Sequence, residues 1–192
     1  MSREYTKRKR ANSEAETKLR ITEATMKLHE TVGPARTTVS AIAEGAGVQR
    51  ATVYRHFPDE DALIDACSTH WATLHPAPDP TPWLALSDPE ERLRAALSGF
   101  YGFYDEAGET LLKLIRDAPR VPAIAVRMQA LSAMLDYLAD LLIEGRGLRG
   151  SKRKRVRAAI GHALQPETWR SLVRVQGLST DDAVDLMVKL AD

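Results

Sequence analysis

Three observations predict an all-helical chain. Apolar residues recur three or four positions apart from Leu19 onward. Glycines and prolines interrupt that recurrence at helical lengths, and no stretch alternates apolar with polar residues as a half-buried strand would. Prolines at 76, 78, 80 and 82 forbid helix between two such regions, so a small N-terminal bundle is expected, followed by a larger C-terminal one.

The first helical stripe is Leu19, Ile21, Ala24, Leu28 and Val32, with Lys18, Arg20, Glu23 and Lys27 on the opposite face. Gly33 and Pro34 end it, the glycine because it accepts a left-handed conformation and the proline because it cannot continue a helix. Thr37 or Thr38 is positioned to cap a second helix carrying Val39, Ile42, Ala43 and Ala46, which stops at Gly47. A third segment places Val53 and Phe57 inward while Arg50, Tyr54 and Arg55 point elsewhere. Pro58 and the acidic Asp59, Glu60 and Asp61 open a fourth helix, whose stripe from Leu63 to Leu74 includes Cys67, His70 and Trp71.

Beyond the prolines, Asp88, Pro89 and Glu91 start a helix through Leu93, Leu97, Phe100, Tyr101 and Tyr104, and a separate shorter helix is expected from Thr110 to Asp117. Ile124, Met128, Leu131, Leu135, Leu138 and Leu142, widened by Val126, Met134 and Leu141, predict a helix wrapped on most sides at the centre of the second core. Two further helices are expected over Val156 to Val173, with Pro166 as a kink or break, and over Ala183 to Leu190.

The 192 residues carry 27 Lys and Arg against 26 Asp and Glu, a net charge of +1, so any affinity for nucleic acid must come from local charge. Such charge is present at residues 1–15, read as a flexible basic arm holding Arg3, Lys7, Arg8, Lys9 and Arg10. A single cysteine, expected to be buried and inert, excludes an intramolecular disulfide. No secretory signal or membrane-length apolar run is found, and a cytoplasmic location is expected. His70 and His75 lack the spacing of a metal pair, and no nucleophile with its base or convergent acid pair suggests catalysis, so no metal, no cofactor and no enzyme activity is expected. The basic run from Ser151 to Arg157 reads as a solvated helix start.

Two short helices joined by a glycine turn are the arrangement that sets a second helix into the DNA major groove; a helix corner with a solvated basic face is the plainer alternative. Gln49, Arg50, Ala51, Thr52, Tyr54, Arg55 and His56 supply donors for base edges, small residues for close approach and groups that hold phosphates, all within about two turns.

The stretch "TTVSAIAEGAGVQRATVYRHF", with the helix before it and "PDEDAL" after it, resembles the DNA-binding domain of TetR-type bacterial transcriptional regulators. The resemblance implies a helix-turn-helix domain over residues 16–58 and a ligand-sensing and dimerisation domain over residues 59–192. It implies phosphate contacts for Thr38, Tyr54 and His56, base contacts for Arg50 and Ala51 with Ser40 and Gln49 as secondary candidates, and a structural core of Val39, Ile42, Val48, Val53 and Phe57. Two residues depart from the family pattern: Gln49 stands where a serine-like cap is usual, and Glu60 where many members keep a phosphate-binding lysine.

From the same resemblance the C-terminal helices are expected to dimerise through Ile160, Leu164, Trp169, Leu172, Leu186 and Leu190, unless these only close the protomer's own core. A pocket for a small hydrophobic effector is assigned to Trp71, Phe100, Phe103, Tyr104, Met128, Met134 and Tyr137, residue types that equally make ordinary core. The expected partners are a palindromic DNA operator and a second copy of the chain, and the expected role is a repressor released by ligand. The competing reading is an all-helical adaptor or ligand-binding protein that has lost DNA binding.

Overall fold

The structure, a computed structural model, describes residues 3–191, the side chains at 3, 4 and 6 excepted. Helices α1 (Arg3–Thr31), α2 (Val39–Ala46), α3 (Arg50–His56) and α4 (Glu60–Leu74) are followed by the short α5 (Thr81–Leu84) and the long α6 (Pro89–Asp117). Then come α7 (Pro122–Leu142), α8 (Gly150–Ala163), α9 (Pro166–Trp169) and α10 (Thr180–Leu190), and no strand occurs among the described residues. The chain forms two compact units: residues 1–74 with 113–125, and residues 75–112 with 126–192. The expected boundary after residue 58 therefore falls inside the first unit, to which α4 belongs.

In the first unit, Ile21 from α1, Ile42, Ala43 and Ala46 from α2, Val53 and Phe57 from α3 and its C-terminal boundary, and Leu63 from α4 make one buried cluster. Thr38 caps α2 by accepting a hydrogen bond from the Ala41 amide at 3.2 Å, which satisfies a donor that the first turn otherwise leaves orphaned. Asp59 does the same for α4 through the Ala62 amide at 2.7 Å.

The loop after α1 is fastened by Asp117. Its buried carboxylate accepts from the Ala35 amide at 3.1 Å and from Arg116 Nε at 2.7 Å and Nη2 at 3.1 Å, and the Arg116 guanidinium holds it below the usual carboxylate range. Gly33 has φ 91°, and a Cβ there would collide with that carboxylate, so two independent constraints require glycine. His29 lies buried in the same unit with Nδ1 3.8 Å from the Cys67 Sγ.

In the second unit the core is built on α6 through Leu93, Ala96, Leu97, Phe100, Tyr101 and Tyr104, all buried. Tyr101 donates to the Ala163 carbonyl at 3.0 Å and Tyr104 to the Leu164 carbonyl at 2.7 Å, so each buried hydroxyl is satisfied where α8 ends. Trp169 is completely buried. Its ring centroid lies 6.0 Å from that of Tyr104, and its indole N–H donates to Asp105 at 3.2 Å.

Four expectations need correction. From Arg3 onward the expected basic arm belongs to α1, its residues 1 and 2 lying outside the described ones: residues 3–31 contain no glycine or proline, and Lys, Arg, Glu and Ala are strong helix formers. Prolines 76 and 78 lie outside any helix, yet Thr81–Leu84 forms a helical turn because proline fits a first turn, where its missing N–H is no loss. Residues 89–117 form one helix instead of two; Gly108 does not break it, and its missing Cβ makes room for the Trp169 ring. Finally, α7 is not wrapped: Val126 and Tyr137 are exposed while Leu135, Leu138 and Leu142 are buried, so α6 is the centre.

Burial pushes the His29 imidazole down from 6.5 to about 4, partly offset by the charge of Asp117. The unfolded chain takes up that proton near 6.5 and the folded chain only near 4. Stability is therefore expected to fall as pH drops across this window, by up to about 3 kcal/mol. Urea denaturation at several pH values should show that slope, and His29→Gln should flatten it; equal slopes in both proteins would contradict the assignment.

Candidate nucleic-acid interface

Gly47 adopts a left-handed conformation, φ 64° and ψ 40°, and its amide still bonds back to the Ala43 and Glu44 carbonyls, so α2 ends in a satisfied cap as the chain turns. Val48 and Gln49 then lead into α3. Because Val53 and Phe57 are drawn into the core from one side of α3, the residues on the other side have no protein above them. Arg50, Ala51 and Arg55 are exposed, Tyr54 is 51% exposed, and Thr52 is half-buried. Ser40, in the first turn of α2, is also exposed. Thr38 accepts its capping bond at the same oxygen that carries its proton, which stays free to donate to a phosphate.

One of the sequence-derived candidates is placed differently from expectation. His56 is half-buried and its Nε2 is enclosed without a hydrogen-bond partner, so that nitrogen cannot meet a phosphate in this conformation. Gln49 occupies the N-cap of α3 with no side-chain bond to the helix, which leaves its amide group exposed and uncommitted. Glu60 stands in the first turn of α4, where an acid interacts favourably with the helix dipole and stabilises the helix.

Charge distribution agrees with the placement of α3. Residues 1–58 hold eleven Lys and Arg against six Asp and Glu, whereas residues 59–192 hold sixteen against twenty, so the cationic excess is confined to the part that exposes α3. A cavity of about 250 Å³ lies within this unit, lined by His29, Val53 and Phe57 with Tyr54 and Glu60 among its polar members.

The C-terminal candidates separate into buried and exposed sets. Ile160, Leu164 and Trp169 are fully buried in the protomer and cannot meet a second chain, because they close its own core. Leu172 is half-buried, while Leu186 and Leu190, at 37% and 64% exposure, border a groove of about 280 Å³ with His162, Thr168 and Met187. Val175, 64% exposed at the end of a π-helical stretch (Arg170–Val175), was missed; it is the apolar residue that follows Leu172 by three positions.

The expected effector residues differ in burial. Phe100 and Tyr104 are buried among the aromatic side chains of α6, Phe103 and Met128 are half-buried, and Met134 and Tyr137 are exposed on α7. Trp71 is half-buried on α4 in the first unit.

Comparison with known proteins agrees with this geometry. Residues 21–67 match the family model for bacterial regulatory proteins of the tetR family. The whole fold is similar to a TetR-like transcriptional regulator from Rhodococcus sp. RHA1, at 22% identity with 91% of this chain and 93% of that one covered and a TM-score of 0.64. It is also similar to NalD, the secondary repressor of the MexAB-OprM multidrug efflux pump in Pseudomonas aeruginosa, at 19% identity, 93% and 95% coverage and a TM-score of 0.63. A third similar fold is the ketosteroid transcriptional regulator KstR2 of Mycobacterium tuberculosis, at 20% identity, 91% and 92% coverage and a TM-score of 0.56. No curated protein matches the chain. Among the described residues no helix is long and apolar enough to cross a membrane. The matched family model lies on the helix-turn-helix region, and the similarity of fold runs over nine-tenths of the sequence.

Proposed function

We propose that the chain is a homodimeric repressor that reads a two-fold symmetric operator through α3 and lets go of it when a small hydrophobic molecule binds the second unit. The observation that carries the DNA half of this reading is the exposed row of Arg50, Ala51, Tyr54 and Arg55 on a helix whose opposite side is core. Arg50 supplies a bidentate donor for a guanine edge, Ala51 permits close approach, and Tyr54 and Thr38 donate to flanking phosphates. Gln49, free of any capping duty, is a further base contact.

A single α3 spans too few base pairs for selective binding, whereas a two-fold dimer sets two of them about 34 Å apart, one turn of duplex. The half-buried Leu172 and the exposed Val175, Leu186 and Leu190 supply an apolar face for that dimer, self-complementary across a two-fold axis. A repressor sign is supported by the similar fold of NalD, and a hydrophobic effector by that of the ketosteroid regulator. In this chain Phe103 and Met128, the half-buried members of the expected pocket, are the residues that an effector reaches without dismantling the tyrosine-centred core. Release works by population shift: the ligand favours a dimer whose α3 helices no longer match successive grooves, to the extent of its differential affinity.

Arg50→Ala with Tyr54→Phe alters two exposed side chains and is expected to leave thermal stability unchanged. Affinity for a duplex selected by the unaltered protein from a random pool should fall roughly a hundredfold. Undiminished binding would remove α3 from the interface. Leu186→Asp with Leu190→Asp should yield a folded monomer in sedimentation experiments, and a persisting dimer would place the two-fold contact elsewhere.

A further inference from the structure

Among the described side chains, the N-terminal part of α1 packs on nothing. From Lys7 to Glu16 every side chain is exposed, and the first buried one is Ile21, yet the helix is unbroken from Arg3. At 1.5 Å per residue, roughly 20 Å of it projects beyond the packed portion. A projecting helix of this length is marginal by itself, so a partner that orders it contributes to its stability.

The chemistry of the projection identifies the class of partner. Lys7, Arg8, Lys9 and Arg10 are consecutive cations, all exposed, and Tyr5 is the only large apolar side chain among the described residues between 5 and 18. Without an apolar face there is nothing for a protein groove or a bilayer interior to bury, and what remains is complementarity to a polyanion.

Its position identifies the polyanion. Arg20 on α1 donates to the Ala46 carbonyl at 3.0 Å, beside the turn that leads into α3, and the Lys18 ammonium lies 5.4 Å from the centroid of the Phe57 ring, where α3 ends. Helix α1 thus passes both ends of α3 just before the projection begins. Helical register adds direction. Lys7 precedes Thr25 by eighteen residues, five full turns, and Arg10 precedes Leu28 by the same interval. Thr25 is buried and Leu28 packs on the first core, so Lys7 and Arg10 continue the face that α1 turns toward the helix-turn-helix. Arg8 and Lys9 are rotated away from it by roughly 100° or more.

We propose that residues 3–16 form a rigid basic extension of α1 that lays Lys7 and Arg10 along DNA phosphates flanking the groove occupied by α3, adding affinity without reading sequence. This inference rests on the DNA-binding reading above and adds to it a second, helical contact surface.

Anisotropy titrations of the full chain test it, using the selected duplex and a scrambled duplex of equal length over roughly 50 to 200 mM salt. Lys7→Ala with Arg10→Ala should weaken binding to both duplexes equally, roughly tenfold near 0.1 M salt, and reduce the slope of log affinity against log salt by about 1.8. Arg8→Ala with Lys9→Ala should change either quantity much less. Ala11→Pro keeps every charge but breaks the helix outside the packed core, and should lose as much as the Lys7 and Arg10 pair. Equal losses from the two double variants, or wild-type binding by Ala11→Pro, would show a charged tail with no geometry and overturn the proposal. Loss confined to the selected duplex would overturn it too, by making the extension a reader of sequence. If the unaltered chain binds neither duplex, the DNA reading itself fails and takes this inference with it.

Discussion

At Gly47 the chain takes a left-handed turn that costs most L-residues about 1–2 kcal/mol, and this one conformation decides how α3 leaves α2. Once the direction is set, Val53 and Phe57 reach the cluster formed by Ile21, Ile42 and Ala46, and burial of that side leaves Arg50, Ala51, Tyr54 and Arg55 outward. Exposure of the reading face is thus a consequence of packing on the opposite face. The polar residues need no partners of their own to be oriented, and they remain free to meet a ligand surface.

A second constraint surrounds the first. The loop between α1 and α2 is fixed by the buried Asp117 carboxylate on the Ala35 amide, and Gly33 is the residue that this close approach permits. Asp117 closes α6, the same helix whose Tyr101 and Tyr104 anchor the second unit's core to the carbonyls at the end of α8. One continuous helix therefore supplies essential residues to both units.

Periodicity and punctuation made the helix-turn-helix legible: Gly33, Thr38 and Gly47 each act as the sequence suggests, and the inward pair Val53 and Phe57 is where its spacing puts it. What escaped were properties decided by partners distant in sequence. Nothing local to Gly108 says that an indole from Trp169 will fill its missing Cβ, so α6 read as two helices. Apolar stripes at 160, 164 and 169 look the same whether they close a protomer or join two, and only burial separates them from Leu186 and Leu190. The same holds for burial of the aromatic residues: spacing places a residue on a face of its helix without saying what that face meets, so Tyr104 is buried while Tyr137 is exposed. His56 shows the limit at single-residue scale, where one ring nitrogen faces inward although its neighbours on α3 face out.

The most direct measurement of the central claim is a residue-resolved one: backbone amide resonances of the labelled protein recorded while a duplex selected from a random pool is added. The largest changes are expected across residues 49–56, with the amides of the buried second-unit core unmoved. Shifts concentrated elsewhere, with residues 49–56 unaffected while the duplex is demonstrably bound, would contradict it.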